Sequence, residues 1–226
     1  MTNVTICDLF SVDTPYLKEL FLECKYPWEL IPKIKNHIKK LLNDSPKGFT
    51  LLCEGVLVGK DVKIDKTAKI IPPAVIGDNT EIRVGAYLRG NVIIGQGCVI
   101  GNSSELKNSI LLDYVQAPHY NYIGDSVLGN HSHLGAGAIC SNLKADKKDV
   151  VVHALLEYET GLRKLGAILG DYADIGCGCV LNPGTVIGKG TIAYPLNSLR
   201  GAYGEGLIIK NQSTIVKRQI RQGETK

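Results

Sequence analysis

Residues 76–112 read IGDNTEIRVGAYLRGNVIIGQGCVIGNSSELKNSILL, and Ile76, Ile82, Leu88, Ile94, Ile100, Leu106 and Leu112 occupy every sixth position. Extended backwards, the same spacing takes in Ile70, Ile64 and Val58. A helix repeats at 3.6 residues and a strand at two, so neither holds this series on one side of itself. A six-residue period describes short strands joined by tight turns, with aliphatic side chains pointing inward and stacking from coil to coil. Three such strands per coil make a triangular prism.

The phase shifts by one residue near His119, after which Leu128, Leu134 and Cys140 carry it on. After an interruption, Leu169, Ile175, Leu181 and Ile187 restore it. Glycine commonly follows the aliphatic residue, as in Ile76-Gly77, Ile94-Gly95, Ile100-Gly101, Leu134-Gly135, Ile175-Gly176 and Ile187-Gly188. It is expected there to permit the turn conformation.

Residues 1–50 have another texture. Tyr16, Leu17, Leu20, Phe21 and Cys24 follow Thr14 and Pro15 at helical spacing, and Pro27 opens a second amphipathic stretch through Leu30, Ile31, Ile34, Ile38, Leu41 and Leu42. The organisation expected is a helical appendage over 1–50 that caps the end of the main domain, a β-solenoid over 51–210 with an insertion loop at 141–165, and a basic tail over 211–226.

With 226 residues the chain accommodates one sizeable domain and a small addition. A net charge of +4 is too small for a nucleic-acid stripe, although Lys210, Lys217, Arg218, Arg221 and Lys226 gather near the C-terminus. They read either as a solvated terminus or as attraction for an anionic cofactor. The seven cysteines are odd in number and lack CxxC spacing, which suits reduced thiols in the cytosol. Cys177-Gly178-Cys179 is expected to place both thiols on one face of a strand, in a packing role. Neither a signal peptide nor a membrane-spanning run is visible, so a cytoplasmic protein with no membrane or nucleic-acid partner is expected.

The segments Ala86–Gly90 (AYLRG), Gly101–Ser109 (GNSSELKNS), Pro118–Asp125 (PHYNYIGD), Leu134–Asn142 (LGAGAICSN) and Thr160–Asp171 (TGLRKLGAILGD) resemble the hexapeptide-repeat acyltransferases. They are most similar to the acetyltransferase half of the bifunctional N-acetylglucosamine-1-phosphate uridyltransferase and glucosamine-1-phosphate acetyltransferase, with its archaeal and stand-alone relatives. The likeness covers about residues 58–195. It implies a left-handed parallel β-helix, a homotrimer, acetyl-CoA as acyl donor without a metal, and an amino-sugar 1-phosphate as acceptor. The Gly-rich nucleotide-binding motif of the other half is absent from residues 1–57, so uridyl transfer is not expected of them.

Acetyl transfer to an amine needs a base, an oxyanion donor and a hold on two anionic substrates. His119 matches the family's catalytic histidine, and an imidazole titrates near neutrality. Asn142 matches the asparagine that contacts the sugar amine and donates near the reacting carbonyl, or else it merely turns the chain into the insertion. The backbone N–H groups around Ala136 are the expected oxyanion donor, although Gly135 and Gly137 can equally be repeat glycines.

Arg89 and Lys107 lie eighteen residues apart, which in a three-strand coil stacks them to grip a phosphate. The resemblance adds Asn102, Glu105 and Tyr122 beside them, and Lys147 or Lys148 in the insertion as a further cation. For CoA it implies a groove lined by Cys177, Gly178, Pro183, Gly184, Ala193 and Tyr194. His133 stands where the bacterial enzyme has asparagine and Leu143 where it has tyrosine, which leaves the sugar open between glucosamine and galactosamine. Two other functions compete: an idle sugar-nucleotide-binding scaffold, and a zinc carbonic anhydrase using His119, His131 and His133, whose spacing does not fit that family's ligand set.

Overall fold

The computed structural model of the chain describes residues 3–211 and 213–218. Its body is a left-handed parallel β-helix. The first face of the prism carries strands such as Ala74–Ile76, Val92–Ile94, Ser109–Leu111 and Val127–Leu128. The second carries Val99–Asn102, Gln116–His119 and His133–Leu134. The third carries Tyr87–Arg89, Glu105–Lys107, Tyr122–Gly124 and Ile139–Cys140. Each strand pairs in parallel with its counterpart one coil away, and one aliphatic side chain per strand enters a shared interior.

The ladder slips earlier than the sequence suggests. Leu111, not Leu112, is the partner of Ile94 and enters the interior, whereas Leu112 joins the cluster beneath the helices. Five residues instead of six separate Leu106 from Leu111, and again Ile123 from Leu128, as the pairs Leu88↔Leu106↔Ile123 and Ile94↔Leu111↔Leu128 require. Both shortened corners join the third face to the first, and they carry Asn108 and Asp125 in the left-handed region at φ 48° and 49°.

The glycines after the aliphatic residues serve close approach, not turn conformation. A Cβ at Gly101 would lie 1.6 Å from the Pro118 carbonyl oxygen, and one at Gly95 would lie 2.7 Å from the Leu112 carbonyl carbon. The left-handed positions come two residues later, on Asn79, Gly97, Tyr114, His131, Tyr172 and Gly190.

The N-terminal helices lie along the first face and do not cap an end. Short helix Ile6–Leu9, helix Pro15–Leu22, the 3₁₀ turn Pro27–Lys33 and helix Ile34–Asp44 bury Leu17, Leu20, Leu30, Ile34 and Ile38 against Val75, Ile93, Ile110 and Val127. Pro32 has no N–H to give an α-helical bond, so the segment from Pro27 runs as 3₁₀ before the regular helix begins. Thr14 precedes the helix as expected, but its hydroxyl donates to Asp113 Oδ2 at 3.0 Å and so ties the helix to the prism.

The insertion is more than a loop. Val151–His153 and Glu157–Glu159 form an antiparallel hairpin that returns to the helices, with the Tyr158 ring 5.0 Å from Tyr26 and 5.5 Å from Trp28. At the other end, Thr214–Lys217 is a strand antiparallel to Leu207–Asn211, not a loose tail. Arg221 and Lys226 lie outside the described residues. No helix among the described residues is long and apolar enough to cross a membrane.

Gly101→Ala forces apart two backbones and is expected to cost about 3 kcal/mol or more. Gly137→Ala meets only its φ of 71° in open space and is expected to cost about 1–2 kcal/mol. Urea unfolding of the two variants checks the difference, and equal losses would refute the close-approach role.

Candidate functional site

Successive strands of the third face turn Arg89, Lys107 and Gly124 outward at one edge, since Leu88, Leu106 and Ile123 are in register. The two cations are stacked as the eighteen-residue spacing predicts, but neither is free. Arg89 Nη1 donates to Glu105 Oε1 at 2.6 Å, and Lys107 Nζ lies 3.4 Å from Asp125 Oδ2. Both cations are already turned toward carboxylates.

Gly124 has no side chain, and its space is filled by Asn142 from the next coil and by Tyr122 from its own strand. A Cβ there would lie 2.6 Å from both the Asn142 amide nitrogen and the Tyr122 hydroxyl. Asn142 Nδ2 donates to Asp125 Oδ2 at 2.5 Å and to Tyr122 Oη at 3.2 Å. Asn108 Nδ2 donates to the other oxygen of Asp125 at 2.8 Å. Asp125, 4% exposed, is therefore the hub of this edge. Sequence reasoning missed it as a site residue, although it ends the Pro118–Asp125 segment and stands in the shortened Gly-Asp-Ser corner. Burial, aided by nearby Glu105, raises the Tyr122 phenol above its ordinary range, so it stays protonated near neutrality.

His119 stands at the opposite edge, where the second face meets the third, one coil above Asn102. It is exposed, and its imidazole has no hydrogen-bond partner among the described residues. Gly137 N–H donates to the His119 carbonyl at 3.0 Å, which sets Ala136 directly on the next coil. Ala136 is exposed and its N–H has no partner among the described residues. Asn102 is engaged with the Tyr120 hydroxyl at 3.1 Å. Between the two edges the strand Tyr122–Gly124 is three residues long, about 10 Å at the usual strand rise.

The residues expected at a CoA groove do not form one set. Cys177, Gly178 and Tyr194 continue the His119 edge over the following coils. Gly184 is buried under the insertion, since a Cβ on it would meet Val150 at 2.7 Å, and Pro183 adjoins it. Ala193 turns its methyl group into the prism core, 1% exposed, leaving only backbone to offer. Lys147 and Lys148 lie exposed in a local turn, bonded through their N–H groups to the Lys144 carbonyl and Asp146.

Cys177 and Cys179 do not share a face. Gly178, at φ 67°, turns the corner between them, so Cys177 is exposed and Cys179 buried. Likewise His131 stacks between Tyr114 and Tyr172 at 4.7 and 4.8 Å, while His133 Nδ1 meets Asp174 at 2.8 Å. Within the chain neither converges with His119, and no cluster of three metal-ligating side chains occurs among the described residues.

The profile described as "GMPPB C-terminal domain" matches residues 71–192. A relative from Methanococcus vannielii named "Bifunctional protein GlmU" is 28% identical over 214 residues, covering 94% of this chain and 47% of that protein. A "Bifunctional sugar-1-phosphate nucleotidylyltransferase/acetyltransferase" from Sulfurisphaera tokodaii is 35% identical over 141 residues, covering 62% of this chain and 35% of that protein. The chain thus spans less than half the length of these curated relatives. Among solved structures, the "Acetyltransferase domain of PglB from Neisseria gonorrhoeae FA1090 in complex with acetyl coenzyme A" is 15% identical, with a TM-score of 0.36 over 92% of this chain and 82% of that one.

Filling the notch over Gly124 has a direct readout. The Asn142 side-chain amide protons are expected to appear as a shifted, slowly exchanging pair in NMR spectra. Gly124→Ala is expected to abolish that protection, with less than about 2 kcal/mol lost in stability, because the clash falls on movable side-chain ends. An unchanged Asn142 pair in the variant would overturn the described packing.

Proposed function

The chain belongs to the GMPPB C-terminal domain family, and from that premise and the geometry of the third face we propose that it acetylates the amine of a 2-amino sugar 1-phosphate, with acetyl-CoA as donor. The names of the relatives support a sugar-phosphate acetyltransferase. The observation that carries the finer reading is the junction of Asn142 to Lys107 through Asp125, with Arg89 stacked one coil beyond Lys107. In a 2-amino sugar 1-phosphate the amine and the phosphate sit on adjacent carbons, so a phosphate held by the cations brings the amine over the asparagine. Glucosamine and galactosamine fit this equally.

In this reading the exposed imidazole of His119, unpartnered among the described residues, swings across the third face over Tyr122 to reach the amine and removes a proton from the substrate ammonium, and the freed amine attacks the thioester carbonyl. The Ala136 N–H donates to the oxyanion of the tetrahedral intermediate. Collapse breaks the carbon–sulfur bond; the imidazolium returns its proton to the leaving thiolate, and the second hydrogen that the nitrogen carries after attack is lost to water, leaving the neutral amide. CoA runs along the edge bearing Cys177, Gly178 and Tyr194, and a second chain closes the groove. Leu196, 84% exposed, and Tyr120, 61% exposed, on the same edge support a neighbour there, in keeping with a homotrimer. No metal takes part in this scheme.

CoA release with glucosamine 1-phosphate and galactosamine 1-phosphate tests the reading. His119→Ala is expected to lower kcat about 10²–10⁴-fold, the usual worth of a general base; equal turnover in both proteins would remove His119 from the mechanism. Lys107→Ala is expected to raise KM for the sugar phosphate about tenfold, the scale of one charged contact, and to leave KM for the unphosphorylated amino sugar unaltered. A parallel rise for both acceptors would refute phosphate contact.

A further inference from the structure

The amide of Asn142 is polarised by its surroundings in a way its identity alone does not dictate. An amide has two donor hydrogens on nitrogen and an acceptor oxygen, and the two ends can exchange by rotation. An ionised carboxylate can only accept, so the end facing Asp125 at 2.5 Å must be the nitrogen. The second hydrogen goes to the Tyr122 oxygen at 3.2 Å. Both donors are spent, and Oδ1 has no partner among the described residues. Asn142 therefore has an acceptor to offer and no donor. The donor role near the reacting carbonyl, implied by the family resemblance, is closed to it in this arrangement.

We infer that Asp125 is a positioning residue that fixes the polarity of Asn142, so that the site selects an acceptor sugar bearing an ammonium or amine over one bearing a hydroxyl at the same carbon. The inference rests on the acetyl-transfer reading and extends it to how the amine is chosen. An ammonium donates and never accepts, so it suits a bare amide oxygen backed by a carboxylate charge. A hydroxyl can donate to the same oxygen, but it is neutral, so it forms the weaker bond and lacks the attraction of a full positive charge to the carboxylate behind it.

Asp125 is held in place on every side. Its carboxylate takes Asn108 on one oxygen and Asn142 with Lys107 on the other. Its backbone N–H donates to the Lys107 carbonyl, and its own carbonyl accepts from Gly166, where the chain re-enters the coil after the insertion. The shortened corner, with Asp125 at φ 49°, brings the carboxylate in toward Asn142. Lys107, whose charge the carboxylate offsets, is the link between amine selection and phosphate binding.

Asp125→Asn tests this, because asparagine has the same shape and tolerates a left-handed backbone. It removes the acceptor-only partner, so the amide of residue 142 can rotate, and it leaves Lys107 unpaired. Calorimetric dissociation constants for glucosamine 1-phosphate and glucose 1-phosphate are measured on both proteins, with CoA release alongside. In wild type the amine is expected to bind about tenfold tighter or more, a preference worth roughly 1.4 kcal/mol. In the variant that ratio is expected to fall to about one, while glucose 1-phosphate binds as tightly as before or tighter.

Parallel weakening of both ligands would mean that Asp125 is merely structural, and an unchanged ratio would overturn the inference outright. A wild type that binds both ligands equally would also overturn it. A wild type that binds the amine selectively but releases no CoA would sink the acetyl-transfer reading and leave the polarity of Asn142 standing.

Discussion

Everything in this protein hangs on the contact between one coil and the next. Parallel strands exchange backbone hydrogen bonds about 4.8 Å apart, and at the corners the chain comes so near its neighbour that a single Cβ has no room, as at Gly95 and Gly101. This tight stacking makes the prism rigid and gives each outward side chain a definite neighbour one coil above and one below. A site assembled on such a surface is a column of residues separated in sequence by one coil, which is how Arg89 and Lys107, or Asn102, His119 and Ala136, come to adjoin.

Against that regularity, the polar edge of the third face is the place where the repeat is broken. Two corners in succession lose a residue, and the chain leaves the coil altogether after Asn142 to make the insertion. The buried carboxylate of Asp125 sits in this disturbed region and binds three donors, Lys107, Asn108 and Asn142. A buried charge is tolerated only when paired and hydrogen-bonded, and here two of its partners, Lys107 and Asn142, are groups proposed to hold substrate. Fold irregularity and polar chemistry coincide here because the shortened corner, with Asp125 in the left-handed region, sets the carboxylate against Lys107, Asn108 and Asn142.

The helices have a simpler logic. The middle residues of the first face's strands, Val75, Ile93, Ile110 and Val127, are apolar and point away from the prism core. Covering them with the stripe of Leu30, Ile34 and Ile38 withdraws both surfaces from water, at roughly 1.5–3 kcal/mol per buried side chain. One face is thereby covered, and the candidate site residues lie along the edges of the third face.

The six-residue period was legible in the residues alone, and with it the prism, the eighteen-residue stacking of Arg89 on Lys107, and the amphipathic helices from Pro15 and Pro27. Such features are local: they follow from which side chains are apolar and how often they recur. The sequence by itself did not reveal that Leu112 faces the helices, that Cys177 and Cys179 part at a corner, that Ala193 is interior, or that Arg89 and Lys107 are already matched by Glu105 and Asp125. Those were decided by tertiary structure, because a one-residue slip reverses the side a residue presents, and a hydrogen bond between coils joins groups the chain keeps seventeen positions apart.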